Sequence, residues 1–425
     1  MQNDHPSRSF AAGLPLSIRA ARPFAGSLKG DPSVTAAAST VDHGRAVLIL
    51  SASGFAASVN LRAMDTLLPG LADDFGVTVG QASAVITAYA LGYGCCQLAI
   101  GLVGDRFGKY RLIFALCLLS AFASAVASLA VTLGQLTAAR LFAGAAAAGI
   151  VPLALAWIGD KVPVAERQTV MARYMMGTIT GGLMGQVIGG ILTEHFGWRA
   201  ALLAFAACFL VVAGALAWGA RFTGVDAPAA APPRNPLAQV LKLVGNRYAY
   251  LVLGAVVLEG VAVFGVLAFA GASLHDRFGI DLGTVGLILA FFALGGIVYT
   301  SLVGRLIRRF RPARLMAVGG PVMAVGFLAL GLSPALWSMP LAIALMGFGF
   351  YLVHNPLQFH ATQIMPDARG TGVAFFATCL FVAQSAGVAL VAPVVDVFGL
   401  LPACLFSAAA MAIATPLIAR RLSWR

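Results

Sequence analysis

Residues 101–111 read GLVGDRFGKYR: four charges, Asp105, Arg106, Lys109 and Arg111, fall within seven residues, bracketed by Gly101, Gly104 and Gly108. Long apolar runs lie on both sides, and only 10% of the chain is charged. Such a knot of charge fits a short turn at a membrane face, where water and headgroups solvate ions cheaply. The wider composition agrees. A soluble domain is about 45–50% apolar and about 25% charged, whereas this 425-residue chain is 60% hydrophobic with mean hydropathy +0.90. Too few charges are available to cover a water-facing surface. A bilayer admits only helices or closed barrels, and the apolar runs are continuous rather than alternating, so helices are expected.

Working outward from that turn, twelve runs are long enough to cross hydrocarbon, for which about 20 apolar residues suffice. They lie near 46–70, 80–103, 111–131, 134–158, 168–192, 199–220, 247–272, 283–304, 315–333, 336–358, 371–394 and 399–419, and are called spans 1 to 12. Residues 1–45 differ: they are rich in Ala, Ser, Pro and Arg and have no apolar core, so they do not read as a signal peptide. Asp4, Asp31 and Asp42 argue against an organelle transit peptide. A disordered cytoplasmic tail is expected there, in part a misplaced start.

The formal charge of +12 invites a nucleic-acid reading, but its placement argues for a membrane. With the amino terminus cytoplasmic, only Arg199 and Arg277 among the 28 Lys and Arg residues fall at the outer face, and only Arg62 and Arg140 lie deep within spans. That asymmetry is the positive-inside rule. It puts both termini in the cytoplasm and favours an even number of spans. Basic inner loops near anionic headgroups account for the excess charge without nucleic acid. The six cysteines all fall within spans and show no C-x-x-C spacing, so neither disulfides nor metal ligands are expected.

The chain also repeats itself. LADDFGVTVG (71–80) returns as LHDRFGIDLG (274–283), a shift of 203 residues. GLVGDRFGKYR returns in degenerate form within GRLIRRFRPARL (304–315), with Arg308 where Asp105 stood. Gly144 matches Gly347 and Pro163 matches Pro366; after a slip of one residue, Gly185 matches Gly387 and Phe196-Gly197 matches Phe398-Gly399. The expected fold is therefore an all-α integral membrane protein, twelve transmembrane helices in two pseudo-symmetric six-helix bundles. Residues 46–220 form the first bundle and 247–420 the second. The Pro/Ala-rich stretch 221–246 is a cytoplasmic linker, and 421–425 a short cytoplasmic tail. Parallel repeats of this kind are a known transporter plan, with the binding site at their interface.

GLVGDRFGKYR resembles the signature loop between helices 2 and 3 of the major facilitator superfamily, matching at Gly101, Asp105, Arg106, Gly108, Lys109 and Arg111. Arg140-x-x-x-Gly144 resembles a second motif of that family. GGLMGQVIGG (181–190) is similar to the glycine-rich helix 5 motif of its proton-coupled antiporters, through Gly181, Gly185, Gly189 and Gly190; Gln186 stands where that motif has proline. Within the family, the twelve-helix drug/proton antiporters are most alike. The resemblance implies that the 101–111 loop acts as a gating latch between the halves, and that spans 1, 4, 7 and 10 line a central cavity. Without a switching role, the same loop would be a topology anchor.

Charge inside the spans is the sharpest functional signal, since an ion at the bilayer centre costs at least about 2.5–3.5 kcal/mol. Span 1 carries Arg62 and Asp65, span 4 Arg140, span 7 Glu259, and span 10 His354 and Asn355. Arg62 and Asp65 share a helix face and can pair; with Arg140 they form a pathway cluster or tie helices together. Asp65 and Glu259 are the candidates to exchange a proton; Glu259, with no charged partner on its own helix, is the better one, whereas Asp65 stands beside Arg62. His354 is a candidate proton relay or substrate contact, and Gln186 and Gln384 are candidate cavity residues. His360 is expected at the interface. No Walker sequence, G-x-S-x-G or H-E-x-x-H occurs, so neither ATP-driven work nor hydrolysis is expected. The resulting reading is a monomeric inner-membrane secondary transporter, not an enzyme and without cofactor or metal. It would couple protons to export of small, partly apolar molecules by alternating access. An importer of a small organic metabolite is the alternative, and a non-transporting sensor or scaffold a third class.

Overall fold

The computed structural model describes residues 43–221, 246–365 and 369–422, with the side chains of His43, 101–106 and Arg369 excluded. Nearly all of the expected linker and of the amino-terminal tail, Pro366, the last three residues, and the Asp105 and Arg106 side chains therefore lie outside the described residues. Within them the chain is helices joined by short turns, with no strand. In chain order the helices are α1 (His43–Arg62), α2 (Met64–Phe75), α3 (Val79–Ala82), α4 (Ala84–Phe107), α5 (Lys109–Ser128), α6 (Leu133–Ala147), α7 (Ile150–Lys161) and α8 (Val164–Gly219). Beyond the linker come α9 (Arg247–Phe278), α10 (Leu282–Arg309), α11 (Pro312–Leu332), α12 (Met339–Ala361), α13 (Arg369–Phe398) and α14 (Leu401–Leu422).

Span 1 is bent rather than straight: α1 stops at Arg62 and α2 resumes at Met64. Span 4 is broken at Ala148 and Gly149 into α6 and α7. Spans 5 and 6, expected as separate helices, run together as α8. At 56 residues a straight helix would be about 84 Å long, far beyond a bilayer's hydrocarbon. Gly197 resolves this with φ 80°, a left-handed value that reverses the chain. Among the described residues eleven helical stretches are long and apolar enough to cross a membrane, and the Gly197 turn raises the crossings to twelve. The chain is a multi-pass membrane protein.

The two-fold repeat of the sequence reappears in the backbone. Gly197 has its counterpart in Gly399 (φ 72°), and Gly76 (φ 60°) in Gly279 (φ 60°). Helix crossings repeat as well. A Cβ on Gly144 would strike the carbonyl of Tyr89, so α6 and α4 touch backbone to backbone; Gly347 meets Phe292 in the same way where α12 crosses α10. Small residues allow close approach where lipid supplies no hydrophobic drive between helices. Polarity is inverted relative to a soluble fold. Phe122, Phe142 and Val211 point outward and are about two-thirds exposed or more, whereas Arg140 and Glu259 are 0% exposed.

The end of the molecule remote from His43 and Leu422 is tied across the halves. Thr78 caps α3 by accepting from the Gln81 N–H, and Gln81 returns the bond to the Thr78 N–H. Asp396, near the end of α13, accepts from the Thr78 hydroxyl (2.6 Å) and the Gly80 N–H (2.8 Å). On the other side Glu194 of α8 accepts from the Leu282 N–H at the start of α10, at 3.0 Å.

Candidate functional site

Where the halves face each other in mid-span there is a cavity of about 310 Å3, within the usual range for a small-molecule site. Its apolar wall includes Phe264, Phe292, Phe350 and Phe381; its polar wall includes Gln186, Asn355, Gln358 and Gln384. Arg62 and His354 also face it. The contributing helices are α1, α8, α9, α10, α12 and α13. Span 4, expected to line the cavity, supplies none of the wall. Instead α6 packs against α4 at the Gly144 crossing, with Arg140 buried beside it.

Arg140 is therefore set back. It donates to the Asn60 side-chain oxygen (2.5 Å) and to the Asn60 carbonyl (3.2 Å), and its guanidinium lies 4.2 Å from the Tyr89 ring centroid. Asn60 in turn donates to Ser124 at 2.9 Å. The anticipated meeting of Arg62, Asp65 and Arg140 takes another form. Arg62 Nη1 lies 3.8 Å from Asp65 Oδ2, beyond hydrogen-bond range, while the guanidinium covers the Phe264 ring at 4.5 Å. Asp65 is 2% exposed and sits behind Arg62.

On the opposite half, Glu259 of α9 is bonded to His354 of α12, Oε2 to Nδ1 at 2.9 Å. The imidazole stacks on Phe350 at 4.8 Å and leans on Phe376 at 5.2 Å. Glu259 is thus shielded from the cavity, and His354 is the group between them. The other Glu259 oxygen, Oε1, has no hydrogen-bond partner among the described residues. Asn355, next to His354 in the chain, also lines the cavity. His360 lies elsewhere, bonded to the Tyr248 hydroxyl at 2.7 Å.

The glycine motif of span 5 is a packing seam with a polar insert. Gly181 and Gly185 lie against the carbonyls of Phe55 and Val59, and Gly189 against Ala63, all on the α1 side. Gly190 meets the Leu282 carbonyl on the α10 side. Gln186, the departure from the proline pattern, looks into the cavity. The stretch 101–111, expected as a loop, is helical but for one residue: α4 runs on through Phe107, α5 starts at Lys109, and Gly108 between them takes φ 86°, which makes the whole turn. Lys109 pairs with Asp160 at 2.8 Å, and Arg111 is exposed.

Sequence reasoning missed Asn60, Ser124 and Tyr89, which are uncharged and carry no motif. It also missed Glu194 and Asp396. A signal for that pair was present, because the repeat in its slipped frame carries Glu194 onto Asp396.

A family model described as Major Facilitator Superfamily matches residues 50–388. A chloramphenicol resistance protein of Streptomyces lividans is 29% identical over 310 residues, 72% of this chain and 76% of that one. The inner membrane transport protein YnfM of Escherichia coli is 25% identical over 179 residues, 41% of this chain and 42% of that one. Among solved structures, that of the POT family transporter PepTSo superposes with a TM-score of 0.74 at 14% identity, covering 89% of this chain and 98% of that one.

Proposed function

The chain belongs to the Major Facilitator Superfamily, and from that premise we propose that it is a proton-coupled exporter of small, partly apolar molecules. Residues 46–220 and 247–420 act as two bundles that rock about the central cavity, with 221–246 as their cytoplasmic tether. Both termini lie in the cytoplasm of the inner membrane, so the tied end with Asp396 and Glu194 faces outward. The working unit is the monomer.

The observation that carries proton coupling is the Glu259–His354 pair, an acid with no exposure hydrogen-bonded to an imidazole on the cavity wall. An ionised carboxylate held away from water is costly unless paired. Proton arrival at His354 and departure from Glu259 are therefore linked to what occupies the cavity. One charge moved through 100 mV is worth about 2.3 kcal/mol, roughly a fiftyfold concentration ratio. Arg62 contacts substrate and Asp65, one layer behind it, orients Arg62; Asn355 completes the wall, and Arg140 fixes span 1 through Asn60. The 101–111 loop latches the cytoplasmic side, with Lys109 held by Asp160. Export is favoured over import by the similarity to a chloramphenicol resistance protein.

Everted vesicles test direction and coupling together. Substrate addition should collapse a preset inward-acid pH gradient, and Glu259→Gln should abolish that response while leaving passive substrate equilibration. Full gradient-driven transport by the Gln variant would remove Glu259 from the coupling role. A gradient that builds on substrate addition would reverse the direction.

A further inference from the structure

We propose that the cavity selects aromatic molecules carrying an anionic or strongly hydrogen-bond-accepting group and disfavours organic cations. This rests on the cavity being the transport site and names the substrate class for it. The order in which charges stand around the cavity leads to this conclusion. Two carboxylates lie close to the cavity, and each is screened from it by a basic group. Asp65 is buried behind Arg62, and Glu259 behind His354. Among the described residues no carboxylate lines the wall; Arg62 and His354 do. A ligand cation would meet guanidinium and imidazole first and the acids one layer further back. A ligand anion meets the guanidinium directly.

Arg62 is equipped to bind such a group. A guanidinium has five N–H donors in a planar fork suited to carboxylates. Its distance of 3.8 Å to Asp65 falls short of a hydrogen bond, so the fork is not consumed by its own neighbour. One guanidinium face is covered by Phe264 at 4.5 Å, which holds the side chain in place. The rest of the ligand meets Phe292, Phe350 and Phe381 and the amides of Gln358 and Gln384. Aromatic walls take flat rings by offset or edge contact, and side-chain amides recognise neutral polar substituents without preferring either charge. The sign of selection is left to Arg62.

The test uses the full chain in nanodiscs and three probes of one shape: 2-naphthoate, 2-naphthamide and 2-naphthylmethylamine, titrated calorimetrically up to about 1 mM, a range that reaches weak sites. The carboxylate should bind at least about tenfold more tightly than the ammonium, a difference of about 1.4 kcal/mol, with the amide between. Arg62→Gln should bring the three within about threefold of one another, whereas Arg62→Lys, which keeps charge and loses the fork, should retain the order at lower affinity. Asp65→Asn should widen the gap. Ammonium binding equal to or tighter than carboxylate binding overturns the proposal, as does no binding by any probe, or an unchanged order in Arg62→Gln. Proton flux in proteoliposomes separates this from the transport reading. Carboxylate selection without probe-driven proton movement would defeat coupling and leave the ligand class standing. Proton movement driven by the ammonium alone would do the reverse.

Discussion

Arg140 is a fully buried cation whose hydrogen bonds go to a neutral side chain, and that choice sets what its neighbours are worth. Asn60 offers two oxygens, one side-chain and one main-chain, and passes its own amide hydrogen on to Ser124. Removing Asn60's side chain would leave a buried charge with the Tyr89 ring and the Asn60 carbonyl as its close contacts among the described residues. Asn60→Ala should therefore lower unfolding stability by about 3 kcal/mol, in the range for a broken buried charge network, and Asn60→Asp should recover much of that by supplying an anion. Thermal unfolding in a fixed detergent reads both; a loss of under about 0.5 kcal/mol, the level of an ordinary surface change, would mean Arg140 finds another partner. At this scale the sequence was half legible. Charge in an apolar run is conspicuous, so Arg140, Glu259 and Arg62 announce themselves. Their partners do not, because Asn60 and Tyr89 look like ordinary span residues and become special only when distant helices meet. His354 was visible as a histidine, but its bond to Glu259 depends on how α9 and α12 rotate, which no periodicity encodes.

Helices here are joined by backbone contact and by clamps at their ends, and each kind of joint predicts a different response. At the α4–α6 and α10–α12 crossings, Gly144 and Gly347 rest on carbonyls that cannot move aside as a side chain tip could. Gly144→Ala and Gly347→Ala should each cost about 1–3 kcal/mol by overpacking. Gly214→Ala, where an added Cβ meets nothing, should be neutral or slightly stabilising through helix propensity; equal melting of all three variants would refute the crossing model. The end clamp is Asp74 on α2, which accepts from Trp198 Nε1 (3.0 Å) and Arg199 Nη1 (2.6 Å), while Arg199 also reaches the Ala130 carbonyl. These bonds hold the Asp74 carboxyl below its ordinary value, the Arg199 hydrogen bond first. A depressed folded value stabilises above the unfolded pKa, about 3.9, and the benefit is lost as pH falls through the folded value. Wild type should therefore lose more stability than Asp74→Asn on titration from pH 5 to about pH 3, by a small margin because the pair is exposed. Parallel acid profiles would remove Asp74 from the clamp. Element boundaries were the least legible feature. The span pattern marked twelve crossings, yet the break at Gly149 and the bend at Ala63 come from packing, and apolar composition is blind to both.

For the whole molecule, the repeat in the sequence announced two similar halves but not which faces they would share. What joins them at one end is a pair of matched contacts: Asp396 on the amino terminus of α3, and Glu194 on that of α10. Both place a carboxylate on free N–H groups at the positive end of a helix, an interaction worth about 0.3–1 kcal/mol at an exposed site. Both bridge the halves, so both must break for that end to open. Because the caps lie on opposite sides of the interface and share no residue, their contributions should add. Spin labels at Val131 and Trp337, exposed positions between α5 and α6 and just ahead of α12, would report the width of this end once the native cysteines are replaced. Glu194→Ala and Asp396→Ala should each enlarge the wide-separation population by about two- to fivefold, the change expected for 0.3–1 kcal/mol, and the double variant by roughly the product. The Asp396 variant should show the larger effect, since it frees two donors and Glu194 frees one. A distance distribution unmoved by the double variant would mean that the halves are held shut by the glycine seams alone, and that the paired carboxylates serve each helix end rather than the closure between bundles.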